Sequence, residues 1–368
     1  MRIGGKITGI KYTPLLTKTL KEISLDEFNV NSAPCSCIVK DGNYIFAVSR
    51  WVSPKRSRSY PFERVYNTLN VAKKITVIPV IKDEGIDGDR DYIQWDTVSL
   101  MSLLDVFVIF AYYDKAEINR RNPNKLKITN QRFDNEFVRT KIKEIKQYHS
   151  SALHWNLNEL KTKLHFIVDL AADAYQKIEK ITGIRLHDKV GIKNFKNEIS
   201  NDISDFMKFS RGKSKQAQAR EVVTIQPKES LQTSSKAIIT IKNYLGGQYF
   251  LTADEVKINN RELHIIESKH SKKSLLPSTG DIKDGLLKMI LFSNMSNVSV
   301  DNIPKKCKAI LVLTSPEIKG QVCSSDKDDN IKSFILKNKF STRQSKLTTA
   351  LFEEATKNGF TVQIQFSQ

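Results

Sequence analysis

The sequence predicts a mixed α/β fold (α+β in its layering), and three observations predict it. Short apolar runs rich in β-branched and aromatic residues recur before residue 155 and again after residue 236; runs of that length and make-up suit strands. Between them, apolar residues fall at three- and four-residue spacing, the period of an amphipathic helix. The chain has 368 residues, 40 % hydrophobic and 27 % charged, with only 15 Gly and 10 Pro. That composition belongs to packed domains and excludes collagen-like, low-complexity and disordered chains. The expected organisation is an N-terminal α/β domain over 1–155, a helical connector over 156–235, and a second α/β domain over 236–368 with a mixed central sheet flanked by helices.

The elements follow in order. In the first domain Cys37-Ile-Val, Tyr44 to Val48, Ile75 to Ile81 and Val106 to Tyr113 have strand length and composition. Leu100, Met101, Leu103 and Leu104, between the last two, suit a buried helix within Gln94 to Asp105. In the connector Leu157, Leu160, Leu164, Ile167, Val168, Leu170, Ala171 and Tyr175 keep helical spacing, and Phe195, Ile199, Ile203 and Phe206 extend it. Lys208 to Arg220 is basic and rich in small residues, as a solvated helix end or a loop would be. The last domain reads as strands at Ala237 to Lys242, Tyr249 to Ile258, Glu262 to His270, Lys308 to Thr314 and Phe360 to Phe366. Helices are expected at Gly280 to Met295 and Ser341 to Asn358, the latter stopped by Gly359.

Charge narrows the partners. The chain carries 59 Lys+Arg against 40 Asp+Glu, a formal net charge of +19. A polyanion such as nucleic acid is the common partner of so basic a protein. The excess is +8 over 1–155, +4 over 156–235 and +7 over 236–368, so it is a bias of every segment and no basic tail, as suits a protein that encloses a duplex. The N-terminus lacks the apolar run of a signal peptide and no stretch has membrane-span length. A soluble cytoplasmic protein without a membrane partner is expected. Cys35, Cys37, Cys307 and Cys323 show neither disulfide-framework nor zinc spacing, and the six histidines form no HxxxH. The absence of GxxxxGK[ST] argues against a nucleotide cofactor.

One region carries chemistry: Asp254, a strand-turn-strand with its turn at Asn259-Asn260, then Glu267-Ser268-Lys269. Side chains alternate along a strand, so Glu267 and Lys269 share a face, and a hairpin partner brings Asp254 toward it. Two carboxylates can hold a hard cation such as Mg²⁺ through oxygen, and a lysine beside them can position or help deprotonate a water attacking a phosphodiester. The other reading is a solvated salt-bridge face worth little to stability.

The Asp254…Glu267-Ser268-Lys269 set resembles the PD-(D/E)xK, or restriction-endonuclease-like, nuclease superfamily, in which an Asp on one strand is followed after a hairpin by Glu-x-Lys or Asp-x-Lys. Ala253 stands where that family often has Pro. The resemblance covers about residues 220–368 and implies a restriction-endonuclease-like core. It also implies Mg²⁺ held by Asp254, Glu267 and the Ser268 carbonyl, Lys269 orienting the water, and a further acid for which Glu229 and Glu221 are candidates. A chain of this size without ATPase motifs looks most like a type II restriction endonuclease, which implies a homodimer acting on double-stranded DNA in a prokaryote or a virus. Two alternatives stay open: another nuclease of the superfamily in defence, repair or transposition, and a non-catalytic nucleic-acid-binding protein.

Three further features bear on binding. Lys55, Arg56, Arg58 and Arg64, set among Trp51, Tyr60 and serines, suit DNA contact, although an exposed basic loop would read alike. Lys272 and Lys273 follow the Glu-x-Lys directly, as a phosphate-facing loop or a solvated rim. Asp83, Glu84, Asp87, Asp89 and Asp91 form an acidic loop. It could pair with the basic loop, bind a cation, or join Asp96 and Lys115 in a separate site.

Overall fold

The computed structural model describes residues 2–54, 61–121, 125–200, 206, 237–243, 248–259 and 262–367. The chain divides into two compact units, Met1–Lys18 with Gly212–Gln368, and Thr19–Arg211. Each is a mixed α/β assembly. No helix among the described residues is long and apolar enough to cross a membrane.

β1 (Arg2–Ile7) is followed in the unit Thr19–Arg211 by β2 (Lys21–Ser24), β3 (Ser36–Asp41), β4 (Tyr44–Arg50), α1 (Pro61–Tyr66), β5 (Lys73–Pro79), β6 (Ile81–Asp83), β7 (Arg90–Tyr92), α2 (Trp95–Leu103) and β8 (Val106–Ala111). The central sheet has the order β2-β3-β4-β5-β8, with β5 parallel to both β4 and β8. Nearly every residue of β5 and β8 is buried, which is why both read as continuous apolar runs: a parallel strand is covered on both faces. β6 and β7 form one two-stranded ribbon, and β9 (Tyr113–Ile118) and β10 (Ile128–Phe133) form another. Then come α3 (Asn135–Lys146), α4 (Ala152–Thr162), α5 (Leu164–Thr182) and α6 (Lys189–Ser200). The helical period through Leu157 to Tyr175 is thus two helices, broken at Lys163, whose φ of −121° and ψ of −24° lie outside the α-helical basin.

The other unit contains β11 (Ala237–Asn243), β12 (Gln248–Ala253), β13 (Glu255–Asn259), β14 (Glu262–His270), α7 (Thr279–Ser293), β15 (Ser296–Val300), β16 (Ile303–Pro304), β17 (Lys306–Ser315), β18 (Gln321–Cys323), α8 (Asp328–Lys337), α9 (Thr342–Asn358) and β19 (Thr361–Phe366). Two five-stranded sheets result, ordered β12-β11-β1-β15-β16 and β13-β14-β17-β19-β18. In the second, β13 and β14 make an antiparallel hairpin, and β14, β17 and β19 run parallel. Parallel neighbours need crossovers; α7 packs on β14 and β17, and α9 on β19. Ser341 and Gln344 form a capping box at the start of α9, and Gly359 ends it in the left-handed conformation at φ 69°.

Three differences from the sequence reading matter. β1 pairs in parallel with β11, Ile3 opposite Ile239, so the first residues belong with the C-terminal segment and not with residues 19–155. Glu354, fully buried, reinforces this by accepting from Tyr12 Oη at 2.5 Å and from the amides of Leu15 and Leu16. α4 to α6, expected in a separate connector, lie within the unit Thr19–Arg211. The expected strand Tyr249 to Ile258 is also two strands, β12 and β13, which bend apart at Asp254 into different sheets.

Candidate active site

β14 is an interior strand of its sheet, between β13 and β17. Leu263, Ile265 and Ile266 bury the strand's body, and Glu267 follows them inward at 2 % exposure. A buried carboxylate is costly unless partnered, and Glu267 is partnered twice. Lys288 Nζ, from α7, lies 2.8 Å from each of its oxygens, and Lys269 Nζ lies 3.0 Å from Oε1. Lys269 reaches it because residues i and i+2 share a strand face. The Lys269 ammonium is also 2.7 Å from Asp284 Oδ2 on α7.

Asp254 closes the group from the other strand. The ladder pairs Glu255 with Ile266; continued one step, this register sets Asp254 opposite Glu267. Asp254 is exposed, and its Oδ2 accepts from the Ser268 amide at 2.8 Å. The three carboxylates Asp254, Glu267 and Asp284 and the two ammoniums Lys269 and Lys288 leave a local charge of −1.

Electrostatics separates their roles. Burial pushes the Glu267 carboxyl above its ordinary value; Lys288 and Lys269 pull it back, and Asp254 adds to the rise. Burial alone would lower Lys269, but Glu267 and Asp284 outweigh it and hold the ammonium above the usual lysine value. A lysine kept so firmly protonated can orient and neutralise, but it is a poor base. α7 approaches β14 closely enough to build this network because Gly285 faces the lysine stem. A Cβ there would stand 2.8 Å from Leu311 Cδ1 and 3.3 Å from Lys269 Cε.

Asp254 and Glu267 are hard oxygen donors brought to facing positions, a set that fits Mg²⁺. The two ammoniums on Glu267 supply the positive charge that such a cation would bring. Among the described residues no group of three or more His, Cys, Asp or Glu is arranged to hold a metal ion, so these two acids and main-chain oxygen would have to suffice.

The remaining candidates are placed as follows. Lys272 and Lys273 are exposed just past β14. Arg64 donates to the Arg50 carbonyl at 2.6 Å. Lys55, Arg56, Arg58, Glu221 and Glu229 lie outside the described residues. The acidic loop makes no cation cage among them: buried Asp83 binds His187 Nδ1 at 2.8 Å and the Gly85 amide, and Asp87 accepts from the Leu126 amide. Asp91 and Asp96 are buried.

Asp284 and Lys288 were not singled out in the sequence. Their signal in the sequence is two opposite charges four residues apart, on one side of a helix that buries Ile282, Leu286, Met289 and Ile290. No family model, curated protein or solved structure matches the chain.

Proposed function

We propose that the protein is a Mg²⁺-dependent, site-specific double-stranded DNA endonuclease of the type II restriction kind, with a restriction-endonuclease-like core around β13 to β19. One observation carries the reading: a buried glutamate caged by two lysines faces a second carboxylate across a hairpin. The succession of hairpin, helix and parallel strand supports it, as does the net charge of +19.

In this reading Asp254, Glu267 and the Ser268 carbonyl would hold the cation, which would supply Lewis-acid polarisation of the scissile phosphate. Lys269 orients the attacking water and offsets the charge of the incoming phosphate. Asp284 keeps that ammonium in place, and Lys288 keeps Glu267 ionised against its burial. Lys272 and Lys273 contact backbone phosphates. A homodimer, working in the cytoplasm of a prokaryote or in cells infected by a virus, would cut both strands.

A second reading is favoured by one observation: both Glu267 oxygens are already held by ammoniums, as in a closed ion pair of a non-catalytic nucleic-acid-binding protein. Digestion of plasmid DNA decides between them. The nuclease gives Mg²⁺-dependent cleavage that EDTA removes, and Lys269→Ala abolishes it. Full activity of that variant, or none in the wild type, refutes the assignment. Discrete bands mark site-specific cutting, and a smear points to another nuclease of the superfamily.

A further inference from the structure

The β9–β10 ribbon stands in the unit Thr19–Arg211 as a two-stranded sheet of its own. The ribbon is fastened to its unit: Tyr113, Ile128 and Phe133 are buried, the Tyr113 and Phe133 rings lie 4.4 Å apart, and α5 packs on β9. The rest carries charge. Residues 113–133 contain six basic side chains, Lys115, Arg120, Arg121, Lys125, Lys127 and Arg132, against Asp114 and Glu117. Among the described residues only Arg132 of the six makes an ion pair, with Glu117 at 3.1 Å. Lys115, Arg120, Arg121 and Lys125 are exposed.

Cations gathered on so short a ribbon repel one another, and they outnumber the carboxylates near them: Glu117 pairs with Arg132, Asp114 lies beside Lys115, and Asp87 accepts from the Leu126 amide. The ribbon also walls a cleft of about 830 Å³ whose other side includes Asn29, Asn31 and Arg50. A two-stranded antiparallel ribbon has the width that the major groove of B-form DNA admits, whereas the A-form groove of duplex RNA is too narrow for it. We infer that the β9–β10 ribbon is a duplex-DNA docking element, in which Lys115, Arg120, Arg121, Lys125 and Lys127 bind backbone phosphates along the major groove. This deepens the endonuclease reading and rests on it for the choice of DNA among polyanions.

The test is fluorescence anisotropy of a labelled 30-bp DNA duplex with the full chain in EDTA, titrated across KCl concentrations, so that binding is read without cleavage. Arg120→Ala/Arg121→Ala/Lys125→Ala and Lys115→Ala/Lys127→Ala should each weaken binding by about tenfold or more at low salt. The salt slope should fall by about 0.9 for each phosphate contact removed. Unchanged far-UV circular dichroism of these surface variants supports a direct effect. Wild-type affinity and slope in both variants overturn the inference, as does tighter wild-type binding to duplex RNA of the same length. Failure of the nuclease reading registers separately: no Mg²⁺-dependent plasmid cleavage, with the ribbon's effect on DNA binding intact.

Discussion

Replacing Lys288 by Met removes one of the two ammoniums that neutralise Glu267 while keeping most of the side chain's bulk. Stripping a buried ion of its partner costs about 3–5 kcal/mol when no compensation remains. Here Lys269 stays at 3.0 Å, and the Lys288 side chain is 21 % exposed, so part of its hydration was never lost. The expected cost is therefore about 1–3 kcal/mol, or roughly 3–10 °C in melting temperature for a unit of this size. The informative measurement is a double-mutant cycle with Glu267→Gln, followed by calorimetry and urea unfolding of the full chain. If Lys288 serves Glu267, Lys288→Met costs little once the carboxylate is gone, and the coupling is at least about 1 kcal/mol. Coupling below about 0.5 kcal/mol, the ordinary additivity error, would refute the electrostatic account of the site.

Gly285→Ala places a Cβ 2.8 Å from Leu311 Cδ1 and 3.3 Å from Lys269 Cε; it should destabilise by about 1–3 kcal/mol as overpacking does, and an unchanged melting temperature refutes the close packing. The Cys37 thiol is pushed up to about 11 by burial from an ordinary 9.0, and Cys307 to about 12. A folded value raised above the unfolded one gives stability that is present below pH 9.0 and is lost as pH rises through about 11. Between pH 8 and 10.5 the wild type should lose about 2 kcal/mol more than Cys37→Ala in urea unfolding; parallel losses refute the burial account. Glu354→Ala removes the acceptor for Tyr12, Leu15 and Leu16 and should expose the segment before Lys18 to limited proteolysis, with an unaltered cleavage pattern as the contrary result.

What was legible in the sequence was local. Strand alternation placed Glu267 and Lys269 on one face, and they meet at 3.0 Å. The apolar runs at Ile75 and Val106 became β5 and β8, since full burial makes such strands uniformly apolar. What was hidden depended on distant partners. Nothing near Tyr249 to Ile258 marks Asp254 as a bend, because both halves keep strand composition; the break is set by β11 on one side and β14 on the other. The pairing of Ile3 with Ile239 joins segments more than 200 residues apart, beyond any windowed pattern. The β9–β10 ribbon was obscured by its polarity, which reads as loop until the burial of Tyr113 and Phe133 is known.

The bend at Asp254 gives the N-terminus a mechanical role. β1 lies at the centre of the sheet whose edge strand, β12, leads straight into Asp254, while Glu267 is anchored in the other sheet. The spacing of the two acids is therefore a joint between two slabs, and the first seven residues brace one of them. A chain shortened by those residues would keep the hairpin and the Asp254–Ser268 hydrogen bond that join the two acids, and would lose the central strand of the sheet that leads into Asp254.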